Sequence, residues 1–250
     1  MDDPLDLVRC KLRAAQSILI MTGAGVSVPS GIPDFRSPHG VWTRIDPHLL
    51  SRQALYGSIT KYREFWRVVL EIYRDIHTAK PNDVHAALRD LEEAGQVVGL
   101  VTQNVDGLHQ QAGSERVVEL HGHYRRCHCI DCGQSFSTRT VFERHTRTRS
   151  MPTCTVCTGR IRPDLVLFGD PIDEAQWQKA IRWTAQCDLC LVLGTSLEVH
   201  PAADLPKMCH RSNVPVILLS REMTASSSWI PLRVSSLLED VAQSLTRHLR

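Results

Sequence analysis

The sequence predicts an α/β fold: a doubly wound parallel, Rossmann-like sheet with a small inserted domain made of a zinc ribbon and a helical module. Three observations lead there. Short apolar runs alternate with amphipathic helical stretches, as successive βαβ units do. Those runs end in polar, ligand-type residues, and ligands of open parallel sheets sit at the carboxyl ends of strands. Two Cys-x-x-Cys pairs interrupt the alternation.

In chain order, Leu5, Val8, Leu12 and Ala15 recur at helical spacing and give a lead-in helix. Residues 17–22 read as a buried strand that breaks at Gly23, Ala24 and Gly25. Glycines there let backbone N–H groups approach a diphosphate. The fingerprint G-x-G-x-x-G is incomplete, because Val28 occupies its third glycine position. No strand-terminal acid follows either, since residues 43–47 do not read as a strand. The next loop nonetheless holds Ser27, Ser30, Gly31, Pro33, Asp34, Phe35 and Arg36, which marks a binding segment and not a spacer.

Residues 47–78 read as helices, with Phe65, Val68, Val69 and Ile72 as an apolar stripe and Trp66 and Tyr73 beside it. Pro81-Asn82 restarts the chain into a helix carrying His85, Leu88 and Leu91 and ended by Gly95, with His85 in a structural role. Residues 97–102 form the next strand, and Gln103, Asn104, Val105 and Asp106 stand at its end. Residues 117–120 form another, ending in His121-Gly122. A histidine so placed is a general-base candidate, since imidazole titrates near neutrality.

Cys129 and Cys132 are separated from Cys154 and Cys157 by 21 residues. Paired knuckles at this separation suit tetrahedral thiolate binding of one structural Zn²⁺. Cys127 and His128 stand beside the first pair as possible substitutes, and residues 133–153 read as a loosely packed excursion. Cys187 and Cys190 form a further Cys-x-x-Cys at a strand start, where residues three apart point to opposite faces, so they read as core cysteines. Cys10 and Cys209 read the same way. From Pro163 the pattern resumes: a strand at 165–168, a helix at 174–185, a strand at 190–193 ending in Gly194, Thr195 and Ser196, and a helix at 201–211. A strand at 214–219 then ends in Ser220, Arg221 and Glu222, and a last helix spans 236–249 with Leu237, Leu238, Val241, Leu245 and Leu249.

Composition sets bounds. At 250 residues and a net charge of +2, the chain can bury a substantial core and needs no polyanionic partner. Residues 123–162 are locally basic, with eight arginines against Asp131 and Glu143. No run of apolar residues is long enough to span a bilayer, so no membrane partner is expected. The acidic start, Met1 to Asp6, is unlike a basic secretory signal, and nine cysteines then read as reduced thiols. A cytoplasmic protein is expected.

Taken together, Gly23-Ala-Gly25 with Ser27, Gly31 to Arg36, Thr102 to His109, His121-Gly122, the two cysteine pairs and Gly194 to Ser196 resemble the sirtuin family of NAD-dependent protein deacylases, in its bacterial type. The matched stretches run from about residue 15 to 222. The resemblance implies an NAD-binding domain over 1–40, 82–122 and 163–250, and a small domain from a helical insert (41–81) and a zinc-binding insert (123–162). It implies NAD as co-substrate, with Gly23, Ala24, Gly25, Ser27, Asp34, Phe35 and Arg36 in its loop. Gln103, Asn104, Val105 and Asp106 would hold the nicotinamide half, and Gly194, Thr195, Ser196, Ser220, Arg221 and Glu222 the far half. His121 and Asn104 would be catalytic. An acetyl-lysine peptide would lie between residues 163–169 (Val166, Phe168, Gly169) and 198–200 (Glu198, Val199) as an added strand.

The implied reaction passes the acyl group of lysine to ADP-ribose and frees nicotinamide, with His121 drawing a proton from a ribose hydroxyl. Ser220 departs from the family's usual Asn, and residues 233–236 do not resemble its adenine loop. Trp66 and Val69, where acid-preferring relatives carry Tyr and Arg, imply an apolar acyl pocket that takes acetyl over succinyl. Two other classes compete: an ADP-ribosyltransferase or NAD hydrolase using the same loop, and a non-enzymatic zinc-ribbon module binding nucleic acid through its arginines.

Overall fold

The computed structural model describes residues 4–236 together with 238, 242 and 245. Its strands are β1 (Ile18–Thr22), β2 (Val97–Thr102), β3 (Val117–Glu119), β4 (Gly122–Cys129), β5 (Ser135–Ser137), β6 (Ile161–Leu165), β7 (Leu189–Leu193), β8 (Val216–Leu219) and β9 (Leu232–Val234). The helices are α1 (Pro4–Ala14), α2 (Arg52–Tyr56), α3 (Ile59–Ile76), α4 (Asp83–Glu93), α5 (Leu108–Ala112), α6 (Thr138–Thr148), α7 (Glu174–Thr184) and α8 (Asp204–Arg211).

Six parallel strands make the main sheet in the order β3-β2-β1-β7-β8-β9. All five residues of β1 and of β7 are buried, as a parallel sheet covered on both faces requires. Ile18 and Ile20 join the core beneath α1 and α4, while Leu19 and Met21 join the core beneath α7 and α8. Gly99 makes room for an aromatic ring, because a Cβ there would lie 2.3 Å from Trp183. Asn82 caps α4, accepting from the Val84 amide at 2.9 Å, while its own amide donates to His85 Nδ1 at 3.3 Å. His85 is therefore half of a capping box, in keeping with its structural reading.

A second, antiparallel sheet has the order β5-β4-β6. It shares one core with α2 and α3, built on Tyr62, Phe65, Trp66, Val68 and Val69. The Tyr62 hydroxyl accepts from the Ile161 amide at 2.9 Å and Trp66 Nε1 donates to the Ile161 carbonyl at 3.1 Å, so α3 is pinned to β6.

Several expectations need correction. The strand expected at 165–168 is β6, Ile161–Leu165, and it belongs to the small sheet; Pro163 is tolerated because β6 is an edge. Residues 133–153 are not a loose excursion, for β5 and α6 lie there, with Val141 buried and Phe142 half-buried against α3's core. Cys10 is exposed on α1. Cys187 precedes β7, so the opposite-face argument fails. It packs in one core with Cys190 and Cys209, its Sγ 3.8 Å from that of Cys209, and the core assignment stands for another reason. Strand β4 and the parallel strand β9, Leu232–Val234, which overlaps the unrecognised 233–236 stretch, were not expected. Of the last helix, Leu238 and Leu245 are buried in the main core, and Leu237, Val241 and Leu249 lie outside the described residues. No helix among the described residues is long and apolar enough to cross a membrane.

Candidate active site

A cleft of about 600 Å³ opens where the loops after β1, β2, β7 and β8 meet the small sheet. Ala24, Gly25, Asp34, Phe35, Arg36, Gln103, Asn104, Val105 and His121 line it. Val166, Phe168 and Gly169 face it from the small-sheet side, and Gly194, Thr195, Ser196, Val199, Ser220, Arg221 and Glu222 from the far side. Gly23, Ser27 and Asp106 stand one layer back, whereas Glu198 is exposed beside Arg36.

That back layer is a hydrogen-bonded frame. Asn104 Nδ2 donates to the Gly23 carbonyl and to Ser27 Oγ, each at 3.1 Å. Ser27 Oγ donates to Asp106 Oδ2 at 2.7 Å, and the Leu108 amide to Asp106 Oδ1 at 2.9 Å. Burial raises the Asp106 carboxyl pKa, and those two donors oppose the rise. With its amide nitrogen spent on protein acceptors, Asn104 keeps its carbonyl oxygen for the cleft. Thr195 Oγ1 donates to Gln103 Oε1 at 2.7 Å, tying the β2 loop to the β7 loop.

The glycines answer to packing more than to backbone conformation. A Cβ on Gly25 would lie 2.8 Å from Gly194 Cα, and one on Gly23 2.7 Å from Thr195 Cβ. Gly23 itself is extended, with φ −128°. The β1 and β7 loops touch backbone to backbone, and the missing third glycine is not needed for that contact.

His121 follows β3, and its Nδ1–H donates to the Gln103 carbonyl at 3.0 Å. This fixes the tautomer that leaves the lone pair on Nε2, the form a general base needs. Burial lowers the His121 pKa below the ordinary imidazole value, and the Gln103 bond partly opposes this.

The loop from Asp34 to Arg36 is anchored from both sides. Asp34 Oδ1 accepts from the amides of Arg36 and Ser37 at 3.0 and 2.8 Å, and Arg36 Nε lies 3.2 Å from Glu198 Oε2 across the cleft. Phe35 packs on Trp42 at 5.1 Å and Trp42 on Phe168 at 6.3 Å, an aromatic wall over the mouth. Phe168 remains half exposed, at 52%.

The apolar depth of the cleft was misassigned from sequence. Trp66 and Val69 are buried in the small core and do not line it; Ile72, Leu50, Tyr124, Leu165 and Leu167 do. Tyr124 lies on the unexpected β4, and the others belong to apolar runs or stripes, where periodicity alone cannot say which member faces a cavity and which the core. Val28 and Pro29, inside the loop singled out from sequence, also line the cleft, as does Trp42, which lies just beyond that loop.

Cys129, Cys132, Cys154 and Cys157 converge, with their Sγ atoms all within 4.8 Å of one another. Two of the S–S separations are 3.5 and 3.6 Å, close to the edges of a tetrahedron with Zn–S bonds of about 2.3 Å. Cys127 bonds Thr138 Oγ1 at 3.1 Å instead, and His128 Nδ1 bonds Asp164 at 2.6 Å, so neither substitutes as a ligand.

A family model described as Sir2 family matches residues 23–201. The NAD-dependent protein deacetylase of Haloarcula marismortui is 41% identical over 226 residues, covering 89% of this chain and 85% of its own. That of Thermodesulfovibrio yellowstonii is 39% identical over 203 residues, covering 81% and 78%. Among solved structures, a Sir2 variant with deacetylated p53 peptide and 3′-O-acetyl ADP ribose superposes with a TM-score of 0.91 at 31% identity, covering 97% of each chain. A Sir2–p53 peptide–NAD⁺ complex gives 0.87 at 32% identity and 98% of each.

Proposed function

The chain belongs to the Sir2 family, and on that premise we propose that it is an NAD-dependent protein-lysine deacetylase that transfers the acetyl group of acetyl-lysine to ADP-ribose and releases nicotinamide. The observation that carries this reading is His121: a half-buried imidazole, held by the Gln103 carbonyl with its lone pair on Nε2, in the same cleft as Asn104 and the Gly25 loop.

NAD supplies a ribose whose bond to nicotinamide is activated for cleavage. The residues of this chain do the rest. Gly25, Ala24 and the Gly194–Ser196 turn approach the diphosphate, with Ser220, Arg221 and Glu222 on the adenosine side. Asn104 presents its carbonyl oxygen to the ribose or nicotinamide region, steadied by Ser27 and Asp106. His121 Nε2 takes the proton from a ribose hydroxyl as the acyl group moves. Phe35 and Trp42 exclude water from a centre that water would otherwise hydrolyse. The peptide lies between the segment holding Val166, Phe168 and Gly169 and that holding Glu198 and Val199, with its acyl chain toward Ile72. Cys129, Cys132, Cys154 and Cys157 hold one Zn²⁺, which cross-links the small sheet and stands outside the cleft.

The reading includes the division into an NAD-binding unit (1–40, 82–122, 163–250) and a small unit (41–81, 123–162). It also includes a cytoplasmic location, supported by four thiolates that ligate only when reduced. Mass spectrometry of an acetyl-lysine peptide incubated with NAD tests the function. Acetyl-ADP-ribose from the wild type and none from His121→Ala is the expected result. NAD turnover that is equal with and without peptide would favour the hydrolase class instead.

A further inference from the structure

A second groove, of about 680 Å³, runs between α3 and α6 on the small unit. Helix α3 separates it from the catalytic cleft: Ile72 lines the cleft, whereas Arg67, Leu70, Glu71 and Arg74 line the groove. The deacetylase reading gives this groove no task, and it gathers part of the arginine-rich stretch that the sequence sets apart.

The groove's chemistry is two-sided. Leu70, Phe142, Met151 and Pro152 contribute apolar surface, with the buried Trp66 beneath. Five arginines line it against two acids, Glu71 and Asp75. The acids are already engaged, since Arg44 lies 3.8 Å from Glu71 and 3.6 Å from Asp75, and Arg67 lies 3.4 Å from Glu71. That leaves Arg63, Arg74 and Arg149, all exposed, whose side chains have no ion pair, hydrogen bond or ring contact among the described residues. Arg149 also holds a left-handed backbone, φ 57°, at the end of α6. Glycine or asparagine occupies such a position at less cost, so an arginine there is a departure that invites a functional account.

We propose that this groove docks an acidic, partly apolar segment of a partner protein distinct from the peptide in the catalytic cleft. The three unpaired guanidiniums match carboxylates, which they can grip in bidentate fashion. The apolar floor matches leucine- or phenylalanine-type side chains. A nucleic acid fits worse, because its phosphate backbone offers nothing to that apolar floor. The partner is separate from the substrate peptide because α3 stands between the two openings.

The probe is a fluorescein-labelled peptide of glutamate and leucine without acetyl-lysine, followed by anisotropy with the zinc-loaded full chain. The wild type binds it, and binding weakens as salt rises. Arg63→Glu combined with Arg149→Glu raises Kd at least tenfold, whereas Arg182→Glu, an exposed reversal outside the groove, leaves it unchanged. Arg149→Gly relieves the backbone and removes the charge, so it weakens binding severalfold with no loss of thermal stability. Turnover of a short acetylated peptide stays at the wild-type level in all three variants. The proposal is overturned by any of four results: no binding to wild type, equal binding by the double reversal, displacement of the probe by NAD plus acetylated peptide, or tighter, arginine-dependent binding of a single-stranded oligonucleotide.

Discussion

His109 Nε2 lies 2.9 Å from the Thr22 hydroxyl, and this contact starts a buried chain that ends at Asn104. Thr22 Oγ1 donates to Thr102 Oγ1 at 2.8 Å, and the Asn104 amide donates to the same oxygen at 3.0 Å. His109 thus acts on the cleft as a positioning residue, through the paired ends of β1 and β2. His109→Leu removes the donor to the buried Thr22 hydroxyl, which keeps its bond to Thr102, at a cost of about 0.5–1.5 kcal/mol. We expect the urea midpoint to fall accordingly and kcat to drop about tenfold, with partial rescue in His109→Gln, whose amide restores a donor. Equal kcat in the leucine and glutamine variants would reject the positioning role.

Three histidines are held below the ordinary imidazole pKa by burial: His121, His85 at about 4, and His109 well below, with His85 adding to the effect on His109. The folded state resists protonation that the unfolded chain accepts near pH 6.5, so their linkage costs stability as pH falls below that value. The His85 contribution alone removes roughly 2 kcal/mol between pH 7 and pH 5 and saturates once pH passes below about 4. Chemical denaturation at the two pH values checks this. For catalysis, the basic form of His121 persists below pH 6.5, and the acid limb of kcat/KM should fall below that value too. A limb at or above 6.5 contradicts the assignment.

Removing the metal should loosen β6 before it disturbs the main sheet. Cys129 closes β4, Cys154 and Cys157 precede β6, and Ile161 on β6 bonds both Tyr62 and Trp66 of α3. A chelator, or Cys154→Ala, should red-shift tryptophan emission and lower deacetylation roughly tenfold or more. Most far-ultraviolet signal should survive, because the parallel sheet has its own cores. Restored activity on adding Zn²⁺ would complete the test, and full activity in metal-free protein would exclude a structural role for the ion.

Legibility followed the range of each interaction. Strands β1, β2, β7 and β8 are apolar runs whose only polar residues, Thr22 and Thr102, stand at their ends, and Gly25, Asn104 and His121 stand at or just beyond strand ends. Cysteine spacing likewise sufficed for the metal cluster, since each knuckle is local. Strand β4 escaped notice because Arg125, Arg126 and Cys127 break its alternation, and its partners lie far along the chain. Helix α6 is mostly polar, with Thr138 and Val141 its only buried residues among those described, so its period was hidden. Gly194's demand for a missing Cβ comes from Val26 and Gly25, a contact that only folding creates.

The same blindness misplaced the acyl pocket, and correcting it gives a sharper expectation. Ile72, from α3, lines the cleft with Tyr124, Leu165 and Leu167, and no arginine or lysine lies among these deep residues. A succinyl carboxylate pushed into that surface would lose its water without a counter-charge, a penalty of several kcal/mol. Acetyl-lysine should therefore exceed succinyl-lysine in kcat/KM by about a hundredfold or more, equal to about 2.7 kcal/mol. Ile72→Arg should narrow that ratio by raising succinyl turnover, whereas Val69→Arg, buried in the small core, should simply destabilise the fold. Comparing the two peptides across these variants, with thermal melts alongside, separates pocket from core. If Ile72→Arg leaves the ratio unchanged in a folded protein, the acyl chain does not reach this wall.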